Sequence, residues 1–307
     1  MKKKFKLILF LFLTTVLLTG CTKYVKDENK KVAKNEVTGQ NLVENILCQP
    51  EAKTTIEAYK EHNIKIDKLP KCSEYNLTSG GYEGVWNTLF VKPLAWVIIL
   101  VKKIIGNSGL AIIVVTLLIR CIMMPFTKKA AEQSENLKKI QPELKKLEKK
   151  YANKQDQESM MMKSQEMMTL YKTHNINPMS GCLFSFIQLP LFIAFYEALY
   201  RLPSVFEGKF IIYNLGNSPL TALSNGNILY IIFPILVFIV TYYSFKLNSG
   251  ATMSPEQEIQ MKTMRNISLV MIGTTSFSVS CAISIYWITN STFTIFQNLY
   301  VKKVAVK

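Results

Sequence analysis

Apolar positions along this chain gather in long runs, not short alternations, and the runs approach the thickness of a bilayer. At about 1.5 Å per helical residue, a hydrocarbon core of about 30 Å needs roughly 20 apolar residues. Five segments are predicted to cross as helices: 108 to 127, 179 to 200, 227 to 246, the shorter 264 to 279, and 281 to 301. Residues 85 to 105 are also apolar, but Lys92, Pro93 and the pair Lys102 and Lys103 interrupt them. They read as an amphipathic helix lying at the interface, with Trp86 and Trp96 at headgroup depth. The predicted fold class is an all-α polytopic membrane protein.

Between the runs the pattern changes. Leu137, Ile140, Leu144, Leu147 and Tyr151 are spaced 3, 4, 3, 4, which lines one stripe of a helix and demands a partner. Residues 128 to 175 therefore read as a cytoplasmic helical hairpin, turning near 153 to 157. Pro142 deletes a backbone bond, so a kink or restart is expected there. The returning helix, 157 to 174, carries Met160, Met161, Met162, Met167 and Met168. Hairpin core is the favoured reading of these methionines; an adaptable surface for apolar partners is the competing one. Residues 21 to 84 are polar with weak periodicity and read as an exported tether, with short helices around Val43 to Tyr59. The remaining connections are an external loop, 201 to 226, a cytoplasmic loop, 247 to 263, and a short cytoplasmic tail, 302 to 307.

Charge agrees with this topology. The 307 residues hold 37 basic against 21 acidic side chains, a net charge of +16. Eleven lysines lie in 128 to 175, whereas the external loop offers only Arg201 and Lys209, as basic cytoplasmic loops require. No nucleic-acid recognition motif accompanies the lysines, although contact with ribosomal RNA is compatible with them. Residues 1 to 20 have a basic start and an apolar core, the marks of a secretory signal peptide. Their end, Leu18-Thr19-Gly20-Cys21, resembles the lipobox of bacterial lipoproteins, with Cys21 as the lipidated residue. The N-terminus is then anchored outside the cell and, after five crossings, the C-terminus is cytoplasmic. Cys48 and Cys72 lie in the exported stretch, where oxidation is open to them; a disulfide between them and two free thiols are both compatible with the sequence.

No metal cluster, nucleophile arrangement or phosphate loop is present in the sequence, so neither an enzyme nor a cofactor is expected, and no small-molecule substrate. Arg120 is the exception to the apolar pattern. It stands within Gly109 to Phe126, eight residues from Lys128 and so roughly 12 Å from the basic end. A charge at that depth either snorkels to the interface or lines a polar cavity, and intramembrane charge marks a functional path. Gln188, Thr274, Ser276, Ser284 and Asn290 are further polar positions in the spans, candidates for groove lining or for ordinary small-residue packing. The short fourth segment predicts locally thinned lipid. Together these imply a hydrophilic groove that eases polar stretches of a client chain into the bilayer while its apolar helix enters lipid. An anion transporter using Arg120 is the competing class, and it would require inverted repeats; none is visible.

From residue 85 onward the chain resembles the YidC/Oxa/Alb family of membrane protein insertases, in the five-span lipoprotein form of bacteria lacking an outer membrane. The resemblance rests on Gly109 to Arg120 followed by Pro125, on Gln141-Pro142-Glu143-Leu144, and on Asn177-Pro-Met-Ser-Gly-Cys182. Ile187-Gln188-Leu-Pro190, Tyr196 and Ile285-Tyr-Trp-Ile-Thr-Asn290 complete it. Two departures stand out: Phe184 follows Leu183 where proline is usual, and Ser280-Cys281-Ala282 replaces the usual turn. The resemblance implies a monomeric insertase and chaperone, open to lipid and cytoplasm, working alone or with the Sec translocon and without nucleotide. Its clients would be nascent membrane proteins. It implies Arg120 as the groove cation, with Gln188 and Trp287 lining the client-binding groove, and leaves any ribosome contact to the hairpin lysines.

Overall fold

A computed structural model describes residues 22–154, 156–177, 180–248 and 255–305. The expected signal peptide, residues 1 to 20, and the expected lipidation site Cys21 lie outside the described residues. The chain is mostly helical: α1 (Lys53–Glu61), a π turn (Asn87–Val91), α2 (Lys92–Ile105), α3 (Ser108–Lys139), α4 (Gln141–Tyr151), α5 (Gln157–Thr173) and α6 (Ser180–Arg201) come first. A short α7 (Pro203–Phe206), an antiparallel β1 (Lys209–Phe210) and β2 (Tyr213–Asn214), and α8 (Pro219–Ser224) follow. A 3-10 turn (Ile228–Ile231) leads into α9 (Ile232–Asn248), then α10 (Pro255–Ser278) and α11 (Cys281–Ala305).

Among the described residues, two helical stretches are long and apolar enough to cross a membrane, Ser108–Lys139 and Ile228–Leu247. The helices α6, α10 and α11 have 22, 24 and 25 residues, the length that a crossing of about 30 Å requires. The helix expected over 264 to 279 starts earlier, at Pro255, because proline suits a first helical turn and no breaker follows.

The chain divides into two compact units. The first comprises residues 1–117, 189–235 and 275–287; the second comprises 118–188, 236–274 and 288–307.

In the first unit, the stretch expected to be a tether has a core of its own. Val25, Ala33, Leu42, Val43, Ile46, Tyr59 and Ile66 are buried together. Antiparallel bridges Tyr24 to Val43, Lys26 to Val32 and Lys34 to Asn41 fold residues 22–43 back on themselves. Weak periodicity concealed this because the core residues come from short bridges, turns and one nine-residue helix, not from a repeating face. Cys48 and Cys72 are joined by a disulfide. Trp86, expected at headgroup depth, is instead buried against protein, 1% exposed, because its ring packs on Phe90 and its indole N–H has a carboxylate partner.

In the second unit, α3 runs unbroken through Pro125 to Lys139, past the expected end of the first span. The chain breaks at Ile140 and restarts at Gln141 with Pro142 in the first turn of α4, the restart the proline predicted. Asp156 caps α5, its carboxylate accepting from Ser159 N at 2.8 Å. Ile140, Leu144, Tyr171 and Ile176 form the hairpin core with Leu137, Met167 and Leu170. The favoured reading of the methionine cluster is corrected here: Met160, Met161, Met162 and Met168 are exposed. Their spacing, three consecutive residues and then 168, cannot place all on the face that Met167 shares with Leu170.

Candidate functional site

Arg120 is buried within the second unit, 3% exposed. It sits where the helix period turns it toward α11, and its Nε donates to Asn290 Oδ1 at 2.6 Å. Seven residues further on, Gln297 Nε2 donates to Thr127 Oγ1 at 2.7 Å. Both pairs are separated by 170 positions, so α3 and α11 run parallel in one register. Seven residues make two turns, which returns nearly the same face. Ser291, Thr294 and Gln297 are buried on α11, and Thr294 Oγ1 donates to Asn290 O at 3.0 Å. The result is a polar seam in otherwise apolar helices. Such bonds spare buried donors the penalty of having no acceptor.

Of the other predicted lining residues in this unit, Gln188 is half-buried. Thr274 is exposed, its hydroxyl donating to Val270 O at 2.9 Å and Met271 O at 3.0 Å on its own helix. The hairpin carries a cleft of about 630 Å³ lined by residues including Glu143, Lys146, Lys150, Met162, Glu166 and Thr169. Lys150 Nζ lies 2.6 Å from Glu166 Oε1, and that hydrogen bond with the one from Tyr151 holds the carboxyl below the usual range.

The first unit holds Trp287, Ser276 and Ser284. Trp287 meets Phe192 edge-on at 5.2 Å, in a cluster where Phe195 stacks on Tyr286 at 4.4 Å. Ser276 and Ser284 are buried, and Ser284 Oγ donates to Ser280 O at 3.4 Å, the geometry of ordinary helix packing.

A charged network in this unit was not read from the sequence. Arg201, fully buried, donates from Nε to Asn45 O at 2.6 Å, from one terminal nitrogen to Asn87 Oδ1 at 2.8 Å and from the other to Glu83 Oε2 at 2.6 Å. Glu83 also pairs with buried Lys92 at 3.3 Å, and Lys92 donates to Ser79 O and Gly81 O. One turn before Arg201, buried Glu197 accepts from Trp86 Nε1 at 3.2 Å. Glu207 Oε2 and Oε1 accept from Glu51 N at 2.9 Å and Ala52 N at 3.1 Å, a carboxylate at the start of α1. The available signal was the Glu197 and Arg201 pair, four residues apart at the end of an apolar run. These contacts anchor residues 22–84 to the end of α6 and the loop after it. Among the described residues no group of three or more His, Cys, Asp and Glu side chains is placed to hold a metal.

Residues 100–307 match the family described as 60Kd inner membrane protein. The chain is 34% identical over 242 residues to a membrane protein insertase YidC of Oceanobacillus iheyensis, covering 76% of this chain and 91% of that one. It is 37% identical over 221 residues to a YidC of Alkalihalophilus pseudofirmus, covering 71% and 82%. It is also 34% identical to the membrane protein insertase MisCA of Bacillus subtilis, covering 72% and 81%. Among solved structures, that of an active YidC insertase with its first transmembrane domain resolved matches with TM-score 0.48 and 22% identity, covering 79% of this chain. This chain spans about half of that protein's length, 52%. These relatives are named for insertion, not for a catalysed reaction.

Proposed function

This chain belongs to the family described as 60Kd inner membrane protein, and on that premise we propose that it inserts membrane proteins into the cell membrane and assists their folding. The observation that carries this reading is the buried Arg120 held by Asn290. A guanidinium inside apolar helices acts strongly because nearby lipid screens it little. It favours acidic client segments entering beside it, while transfer of the client's apolar helix into lipid supplies the driving force. Asn290 fixes the direction of the guanidinium, and half-buried Gln188 offers an amide to passing polar backbone. Trp287, in its own aromatic cluster, is a proposed contact for apolar client surface.

The proposal includes five crossings by α3, α6, α9, α10 and α11, an exported N-terminus lipidated at Cys21 and a cytoplasmic C-terminus. The protein works as a monomer among membrane lipids, alone or beside the Sec translocon, with the hairpin lysines available to the ribosome. Nothing in the process consumes nucleotide.

The test is to deplete the protein and measure integration of small membrane proteins with acidic external tails. Restoring the natural chain recovers integration, Arg120→Ala does not, and Arg120→Lys recovers part, because charge remains while the fork of donors is lost. Full integration with Arg120→Ala across such clients would overturn the groove-cation role.

A further inference from the structure

The turn between β1 and β2 is built from the wrong residues for water. Phe210 pairs with Tyr213, so Ile211 and Ile212 form a two-residue hairpin turn, a place where Asn, Asp and Gly are usual. Ile211 has φ of 57°, a conformation that β-branched side chains rarely adopt. Both side chains stand in the open, 75% and 62% exposed. Neither solubility nor turn geometry accounts for two isoleucines here, and observed strain at an exposed tip points to a contact outside the protein.

Two neighbours in the same unit say what that contact is. A Cβ on Gly109 would lie 2.4 Å from the Phe210 ring, so Phe210 is seated on the first turn of α3, the start of one apolar crossing stretch. Tyr213 meets Tyr230 edge-on at 5.1 Å and Phe233 at 4.9 Å, which seats the other strand on the start of Ile228–Leu247, the second such stretch. Ile228 and Leu229 are exposed there too. The hairpin tip is thus held where two apolar helices begin, with exposed Lys209 at its base and tyrosines at its flank, a composition suited to the headgroup boundary.

We propose that the Ile211 and Ile212 turn is a wedge that inserts into the outer-leaflet lipid beside the external ends of α3 and α9. The proposal rests on the reading of those helices as membrane-crossing. Its occupant is the acyl region of phospholipid, with the Lys209 ammonium at the phosphates. Anchoring the hairpin in lipid fixes the depth of both helix ends.

The full chain is reconstituted in phosphatidylglycerol and phosphatidylethanolamine vesicles as the natural protein, as Ile212→Trp and as Asn225→Trp, an exposed polar control in the same loop. Emission of the natural chain is subtracted, and acyl-chain-brominated lipid is the quencher. The added emission of Ile212→Trp should be blue-shifted and quenched roughly twofold, as for an indole at the acyl boundary; that of Asn225→Trp should be unquenched. Equal, water-like emission from both variants overturns the wedge alone, provided the natural chain stays with vesicles at alkaline pH. Extraction of the natural chain by alkali overturns the crossing reading beneath it, and the wedge with it.

Discussion

Arg120 and Asn290, 170 positions apart, are joined by a 2.6 Å hydrogen bond from guanidinium Nε to amide oxygen. The acceptor is neutral, so this contact leaves the positive charge in place while fixing its direction. A carboxylate there would have neutralised the field that gives the residue its proposed use.

Asn290→Leu should therefore leave the buried Nε–H without this acceptor, at a cost of about 1–3 kcal/mol. Chemical denaturation of the full chain in detergent checks this. Asn290→Asp should keep stability better but lower integration of acidic clients, since the added negative charge opposes them.

Gln297 and Thr127 form the second contact between α3 and α11. Replacing either alone, as Gln297→Leu or Thr127→Val, should cost more than replacing both, because one change strands a buried polar partner. Couplings of this kind between membrane helices average about 0.6 kcal/mol and reach about 1.7 kcal/mol. A double-mutant cycle measures it.

The Cys48 to Cys72 bridge closes a loop across 24 positions. Cross-linking a loop of that size restricts the unfolded chain by about 3 kcal/mol. Cys48→Ser with Cys72→Ser, or mild reduction, should open residues 22–84 to trypsin while α3 stays protected, read by mass spectrometry of the fragments.

Glu207 gives a pH dependence whose sign follows from its surroundings. Burial, the largest influence, pushes its carboxyl above the ordinary value of 4.5, against the N–H groups of Glu51 and Ala52 that pull it down. A group raised on folding takes up protons more readily when folded. Its stabilising contribution is complete below the unfolded value and is lost as pH rises through the folded one. Hydrogen exchange in α1 should accelerate through that window beyond its intrinsic pH dependence, and Glu207→Gln should remove the excess.

Helices with a repeating face were legible in the sequence: the apolar stretches of α3 and α9, and the stripe from Leu137 to Tyr151 with its restart beside Pro142. Arg120 stood out because a charge in a hydrocarbon run has few explanations. Asn290 was named, but not as its partner, since register between helices so distant in sequence follows from packing and not from local pattern. The core of residues 22–84 escaped for a related reason. Val25, Leu42, Tyr59 and Ile66 share no period, and Glu207 reaches the start of α1 across 155 positions. The methionines misled because composition alone does not say which side of a helix finds a neighbour.

Equal offsets at Arg120 and Thr127 have a mechanical consequence. A slide of α3 along α11 by one residue or one turn breaks both contacts at once. Only a jump of two whole turns, about 10.5 Å, would bring Arg120 opposite a second amide, that of Gln297. The two helices can tilt or part like a zip opened from one end, but they resist creeping past each other.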